Sequence, residues 1–216
     1  MPRRRQILVS AAACVVASGS ARAAALTVPF TPSPGGGPPA GFSIALTGGG
    51  GLPDWATIPD PDHPGEFVLA QTSADPTDRR FPLAIYNRAS AADIDVSVRF
   101  KAVAGRVDRA GGIAVRLTDA NNYYVVRANA LEDNVNFYRV TKGSRREIKG
   151  AETKVPSGIW HTLGLRAEGD RFTVSFNGKT LFIATDRAVA GPGKIALWTK
   201  ADSVTWFAGL SVQALR

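Results

Sequence analysis

From residue 94 onward the chain alternates apolar and polar residues with a period of two. Ile94, Val96, Val98 and Phe100 alternate with Asp95, Ser97, Arg99 and Lys101. Ile113, Val115 and Leu117 alternate with Ala114, Arg116 and Thr118, and Phe172, Val174 and Phe176 with Thr173, Ser175 and Asn177. Ile195 and Leu197 recur in KIALWTK, and Val204, Trp206, Ala208, Leu210 and Val212 keep one parity in the last run. Successive strand side chains point to opposite faces, so each run predicts a strand with one packed side and one wet side. Asn177-Gly178 lies between two such runs and predicts a tight hairpin, because both residues tolerate positive φ. No stretch has the periodicity of an amphipathic helix. Roughly a dozen regularly spaced strands predict an all-β sandwich of two antiparallel sheets, over residues 52–216.

The N-terminus does not follow this pattern. Arg3, Arg4 and Arg5 precede a short apolar run, Ile7 to Ala17, and Ala21-Arg22-Ala23 forms an A-x-A cleavage site. Residues 1–23 therefore read as a secretory signal peptide, too short for a stable membrane span. Arg4-Arg5 leaves a twin-arginine route open beside the ordinary one. Either route predicts a periplasmic or extracellular protein. The single cysteine, Cys14, lies inside the signal, behind a poor lipobox, so the mature chain is expected to have no disulfide or thiolate. Residues 24–51 are rich in proline and glycine and are expected to form a flexible leader.

Charge changes the picture little. The formal net charge is +8. Removing the signal takes away four arginines and no acid, which leaves +4 and gives no reason to expect a nucleic acid partner.

One stretch mixes the two faces more richly, NYYVVRANALEDNVNFYRV at 122–140. Tyr124, Val126 and Ala128 share one parity; Tyr123, Val125, Arg127 and Asn129 share the other. If consecutive strands pair, Arg99, Arg116 and Arg127 face away from the core on neighbouring strands. Asn129, Asn136 and Tyr138 extend the patch, and Glu132-Asp133-Asn134 closes the turn. Arginine and asparagine bond hydroxyls well, and an aromatic face stacks on a sugar ring. The plainer reading is an ordinary solvated sheet face with cross-strand ion pairs and a self-bonded turn. Trp198 has the opposite parity to Ile195 and Leu197, which makes it a candidate exposed platform or a ring packed under a loop. His161 shares parity with Leu163 and Leu165, which favours a packed core histidine.

No metal is required by the sequence. Two oxygen-rich loops are candidates for a divalent cation such as Ca²⁺: Asp60, Asp62 and His63, and Asp119-Ala120-Asn121-Asn122. A tight turn is the competing reading of the second.

The segment PSGIWHTLGLRAEGDRFTVSFNGKTLF, with its W-H-x-L, E-G-D, F-x-V-x-F and N-G units, resembles the concanavalin A-like (laminin-G-like) sandwich superfamily. Together with GGIAVRLTDANNYYVVRANALEDNVNFYRV and GKIALWTKADSVTWF, it resembles small secreted members of the 3-keto-disaccharide hydrolase family. This implies a jelly roll with a carbohydrate site on a concave sheet face. Where longer members carry Asn-Ser before Gly-aliphatic-x-x-Arg, this chain has Ala110-Gly111 before Gly112, Ile113 and Arg116. The E-x-D-x-x-E run of glucanases of this fold is absent, so paired-carboxylate hydrolysis is not expected. The resemblance instead implies elimination from a 3-keto sugar, which needs one base and an enolate-stabilising group. In that enzyme reading Glu132 and His161 are the catalytic candidates. The substrate-binding candidates are Arg99, Arg116, Arg127, Asn129, Asn136, Tyr138 and Trp198. A non-catalytic lectin-like module and a protein-interaction module are the other two readings.

Overall fold

The computed structural model describes residues 24–215, all of it strand, turn or irregular chain. The expected signal peptide and Cys14 lie outside the described residues. Fifteen strands follow in chain order: β1 Leu26–Val28, β2 Phe42–Gly48, β3 Trp55–Pro59, β4 Phe67–Gln71, β5 Arg80–Ala91, β6 Ile94–Ala104, β7 Ala110–Asp119 and β8 Asn122–Asn129, then β9 Asn134–Thr141, β10 Ser144–Glu152, β11 Trp160–Glu168, β12 Arg171–Phe176, β13 Lys179–Thr185, β14 Gly193–Trp198 and β15 Val204–Ala214. Among the described residues no helix is long and apolar enough to cross a membrane.

The strands form two antiparallel sheets. One runs β13-β12-β11-β6-β15-β4-β3, with β1 also paired to β15; the other runs β10-β9-β8-β7-β14-β5-β2. The predicted core parities meet between the layers: Val96, Val98 and Phe100 from one sheet face Ile113, Val115, Tyr124, Val126 and Phe137 from the other. Tyr124, Phe137 and Phe172 pack ring to ring there, at 4.5–5.6 Å between centroids. Each large aromatic buried in this way contributes roughly 1.5–3 kcal/mol.

Two expectations need correcting. Residues 24–51 are not a free leader. β1 pairs with β15 and β2 pairs with β5 along seven register positions. The reason is apolar content that the proline and glycine count obscures: Val28 and Phe30 are buried, and Phe30 meets Phe42 edge-on at 5.8 Å. The Gly48–Gly51 run is pinned, not loose. Gly51 donates to Asp75, and the buried Arg80 guanidinium donates to the carbonyls of Gly51, Leu52 and Ala201. Gly48 has φ 85°, and a Cβ there would lie 1.8 Å from the Arg79 carbonyl, so no other residue fits.

Consecutive strands also do not always pair. β6 lies between β11 and β15 in one sheet while β7 opens the polar hairpins of the other. The chain changes layers between them.

Candidate functional site

The seven-stranded sheet has a second set of packed side chains on its outer face, turned away from the partner sheet. Phe81, Leu83, Ala114, Tyr123, Val125, Tyr138, Ala196 and Trp198 belong to it. Arg127 emerges at one end of this face, opposite Gly112 on β7 and Asn136 on β9. A Cβ at Gly112 would lie 2.6 Å from the Val126 carbonyl and 3.3 Å from the Trp198 ring, so a glycine gives the two side chains room.

Arg127 is only 3% exposed, and its guanidinium ends on side chains alone. Nη1 donates to Asn134. Nη2 donates to Glu132 Oε2 at 2.6 Å and to the Tyr138 hydroxyl at 3.0 Å. Asn134 donates to the same Glu132 oxygen. Asn136 donates to Tyr138 Oη at 3.1 Å and to Glu147 Oε2 at 3.0 Å. One connected network therefore runs from the β8–β9 turn to the edge strand β10. Its rim, Glu132, Asn136 and Glu147, reaches solvent, and its base, Arg127 and Tyr138, does not. Partial burial pushes the Glu132 carboxyl up, but the Arg127 charge and the Asn134 and Arg127 hydrogen bonds outweigh this and hold it below its ordinary value.

The acidic pair in the turn divides its labour. Asp133, with φ 52°, turns away, pairs with Lys154 and accepts the Val155 N–H. Behind the network Asn129 is buried. It donates to Asp108 at 2.8 Å and accepts the Leu131 N–H, so its amide is engaged in bracing the turn. Burial raises the Asp108 carboxyl despite the Lys200 ammonium beside it.

Four predicted site residues sit elsewhere. Arg99 lies on the other sheet, its guanidinium 4.9 Å above the Trp160 ring, because β6 is not β7's neighbour. Arg116 turns inward at a β-bulge with φ 51°. It donates to the carbonyls of Ala92, Gly169 and Val189 and lies over Phe172 of the opposing sheet. The same bulge sends Leu117 to the outer face. Trp198 is on the outer face, as its parity predicted, but is fully buried there. It stacks on Phe81 at 5.4 Å and donates to the Tyr123 hydroxyl, so it is no exposed platform. His161 packs between Phe100 and Phe176, with Nε2 against the Pro156 carbonyl and Nδ1 against Asn177. Both ring nitrogens are engaged in the interlayer core, away from the outer face that carries Glu132, so the predicted catalytic pair does not assemble.

Of the two cation loops, Asp119 accepts the Asn121 N–H and the Asn122 amide, which is turn chemistry. In the β3–β4 loop Asp62 is spent on Lys101 and Trp160. Asp60, His63 and Glu66 remain with one ligand atom each within 4.8 Å, a set that could hold a divalent cation.

Sequence reasoning missed Glu147, and read Asn134 as part of the turn only. The available signal was Lys142-Gly143, a two-residue hairpin turn with both φ positive, which fixes the β9–β10 register and puts Glu147 opposite Tyr138.

Solved structures with a similar fold include the carbohydrate binding module CBM66 from Bacillus subtilis, 21% identical, TM-score 0.61, over 79% of this chain and 95% of that one. The fold is a concanavalin A-like sandwich. Lectin II from Ulex europaeus is similar at 9% identity and TM-score 0.60, over 91% of this chain and 100% of that one. The Bacillus licheniformis beta-glucanase matches at 13% and TM-score 0.57, over 89% and 98%. No family model matches the chain, and no curated protein is similar to it.

Proposed function

We propose that this sandwich is a carbohydrate-binding domain whose site is the Arg127 network on the outer face of the seven-stranded sheet. The observation that carries the reading is a buried guanidinium whose two Nη groups end on side-chain acceptors that reach a solvent-facing rim. Rim groups held in one geometry lose little freedom when hydroxyls bind, which is how a small polar site gains affinity. The fold is shared with a carbohydrate binding module and a lectin, which agrees with the reading. The signal-like pattern of residues 1–23 supports export, to a compartment where glycans are met.

Cleavage of a 3-keto glycoside on the same face is the less supported reading. Glu132 is held as a weak base, and His161 is spent inside the core, whereas general-base catalysis favours a group with a pKa near the working pH. The test is a glycan array followed by calorimetry. The chain is expected to bind a subset of glycans, and Arg127→Ala to weaken binding by about 100-fold, the effect of losing a central charged anchor. Unchanged binding in a folded R127A protein would remove this site. Release of the aglycone from a 3-keto-glucoside, but not from its unoxidised parent, would replace binding with catalysis.

A further inference from the structure

Beside the Arg127 network, toward β10, a pocket of about 310 Å³ is lined by Asp78, Arg79, Phe81, Arg145 and Lys200. Three cations thus meet one carboxylate. The Lys200 charge is already matched, with Nζ 2.8 Å from Asp78 and 2.7 Å from the buried Asp108. Asp78 is held below its ordinary value first by Lys200 and less by Arg145 and Arg79. Among the described residues neither Arg79 nor Arg145 forms an ion pair of its own, so two positive charges remain at the pocket.

Arg145 is also held as if for a ligand. Its guanidinium carbon lies 4.9 Å from the Phe81 ring, 4.5 Å from Tyr138 and 5.7 Å from Trp198. These three faces fix its position by cation–π attraction. Its Nη1 is buried and has no hydrogen-bond partner, an arrangement that costs free energy unless something accepts the bond. Glu147, the carboxylate two residues along β10, is turned to Asn136. A fixed planar fork with an unspent donor suits a planar carboxylate, which takes two parallel bonds. Tyr138 joins this pocket to the sugar network, because the Arg127 guanidinium carbon lies 5.7 Å from its ring and Arg127 Nη2 donates to its hydroxyl.

We infer that the Arg145 pocket receives the carboxylate of an acidic sugar, making the ligand a polysaccharide that contains uronic acid residues. The inference rests on the carbohydrate reading above and narrows it to a substrate class.

The test is calorimetric titration of the folded chain with a uronate oligosaccharide, its carboxyl-reduced neutral counterpart and a sulfated neutral oligosaccharide of the same length. The uronate is expected to bind at least about tenfold tighter than the reduced form, the effect of a hydrogen-bonded charge pair. That preference should shrink with added salt. Arg145→Gln should abolish it, and Arg145→Lys, which keeps the charge and loses the fork, should remove most of it. If R145Q fails to fold, Arg79→Gln on the exposed rim should still lower the preference. Equal binding of uronate and reduced sugar would overturn the inference and leave the carbohydrate reading standing. A preference for the sulfated sugar would overturn the carboxylate assignment. Binding of none of the three would overturn this inference, and the glycan array would then decide the carbohydrate reading.

Discussion

Arg116 and Arg127 lie on adjoining strands of one sheet, are each 3% exposed, and end in opposite kinds of company. Arg116 donates to three main-chain carbonyls from three different loops, and its one side-chain contact, Asp93 Oδ1, is longer at 3.5 Å. Arg127 donates to three side chains. A carbonyl turned away from water must be satisfied for its loop to close, so the first arginine is a clamp between layers. Side-chain acceptors that continue to a rim exist for some other purpose than closing the backbone. The identity of an arginine's acceptors, more than its burial, separates a structural position from a candidate site.

The largest effect that sharpens this contrast is on stability. Arg116→Met should cost about 3 kcal/mol in urea unfolding, because one buried and two part-buried carbonyls lose a charged donor at once. Arg127→Ala should cost less stability and more affinity. A glycan affinity that falls as far in R116M, at temperatures where it is folded, as in R127A would erase the distinction.

Acid is the next probe. Burial pushes Asp202 up, but the N–H groups of Arg106, Asp108 and Val107 outweigh it and hold it below 3.8. A depressed carboxylate contributes stability above its unfolded value, and this is lost as pH falls through the lower folded value. Glu132 follows the same sign, with 4.5 as its unfolded reference. The loop before β7 and the Arg127 pair should therefore weaken below about pH 4. Asp202→Asn should cost about 2 kcal/mol at pH 7, the order expected for a charge bonded to several N–H groups, and the deficit should narrow toward pH 2. A deficit independent of pH would contradict the assignment.

The smallest expected effect is at Trp198. Trp198→Phe should lower stability by about 1 kcal/mol through lost contact and the lost bond to Tyr123, with little change in neutral-sugar affinity. A large affinity loss would mean the ring is reached by ligand after all.

Legibility in the sequence followed the range of the forces involved. Period-two runs and the Asn177-Gly178 turn are local, and the sandwich, the inter-layer core and the outward parity of Arg127, Asn136 and Tyr138 could be read from them. Arg99 was misplaced because the passage from β6 to β7 between layers leaves no trace in alternation. Arg116 was misplaced because a single positive-φ residue reverses parity from that point on. Trp198 had the right face but the wrong exposure, since parity does not say whether a face is covered. Phe81 lies far away in sequence, and only the fold brings it against that ring.

The pairing of Leu26 with Val212 has a mechanical consequence. β1 and β15 are antiparallel, so the start of the one lies beside the end of the other. Tension applied between Leu26 and Ala214 would peel three residues apart one rung at a time, as a zipper opens. The domain would yield at this seam long before load reached Arg127.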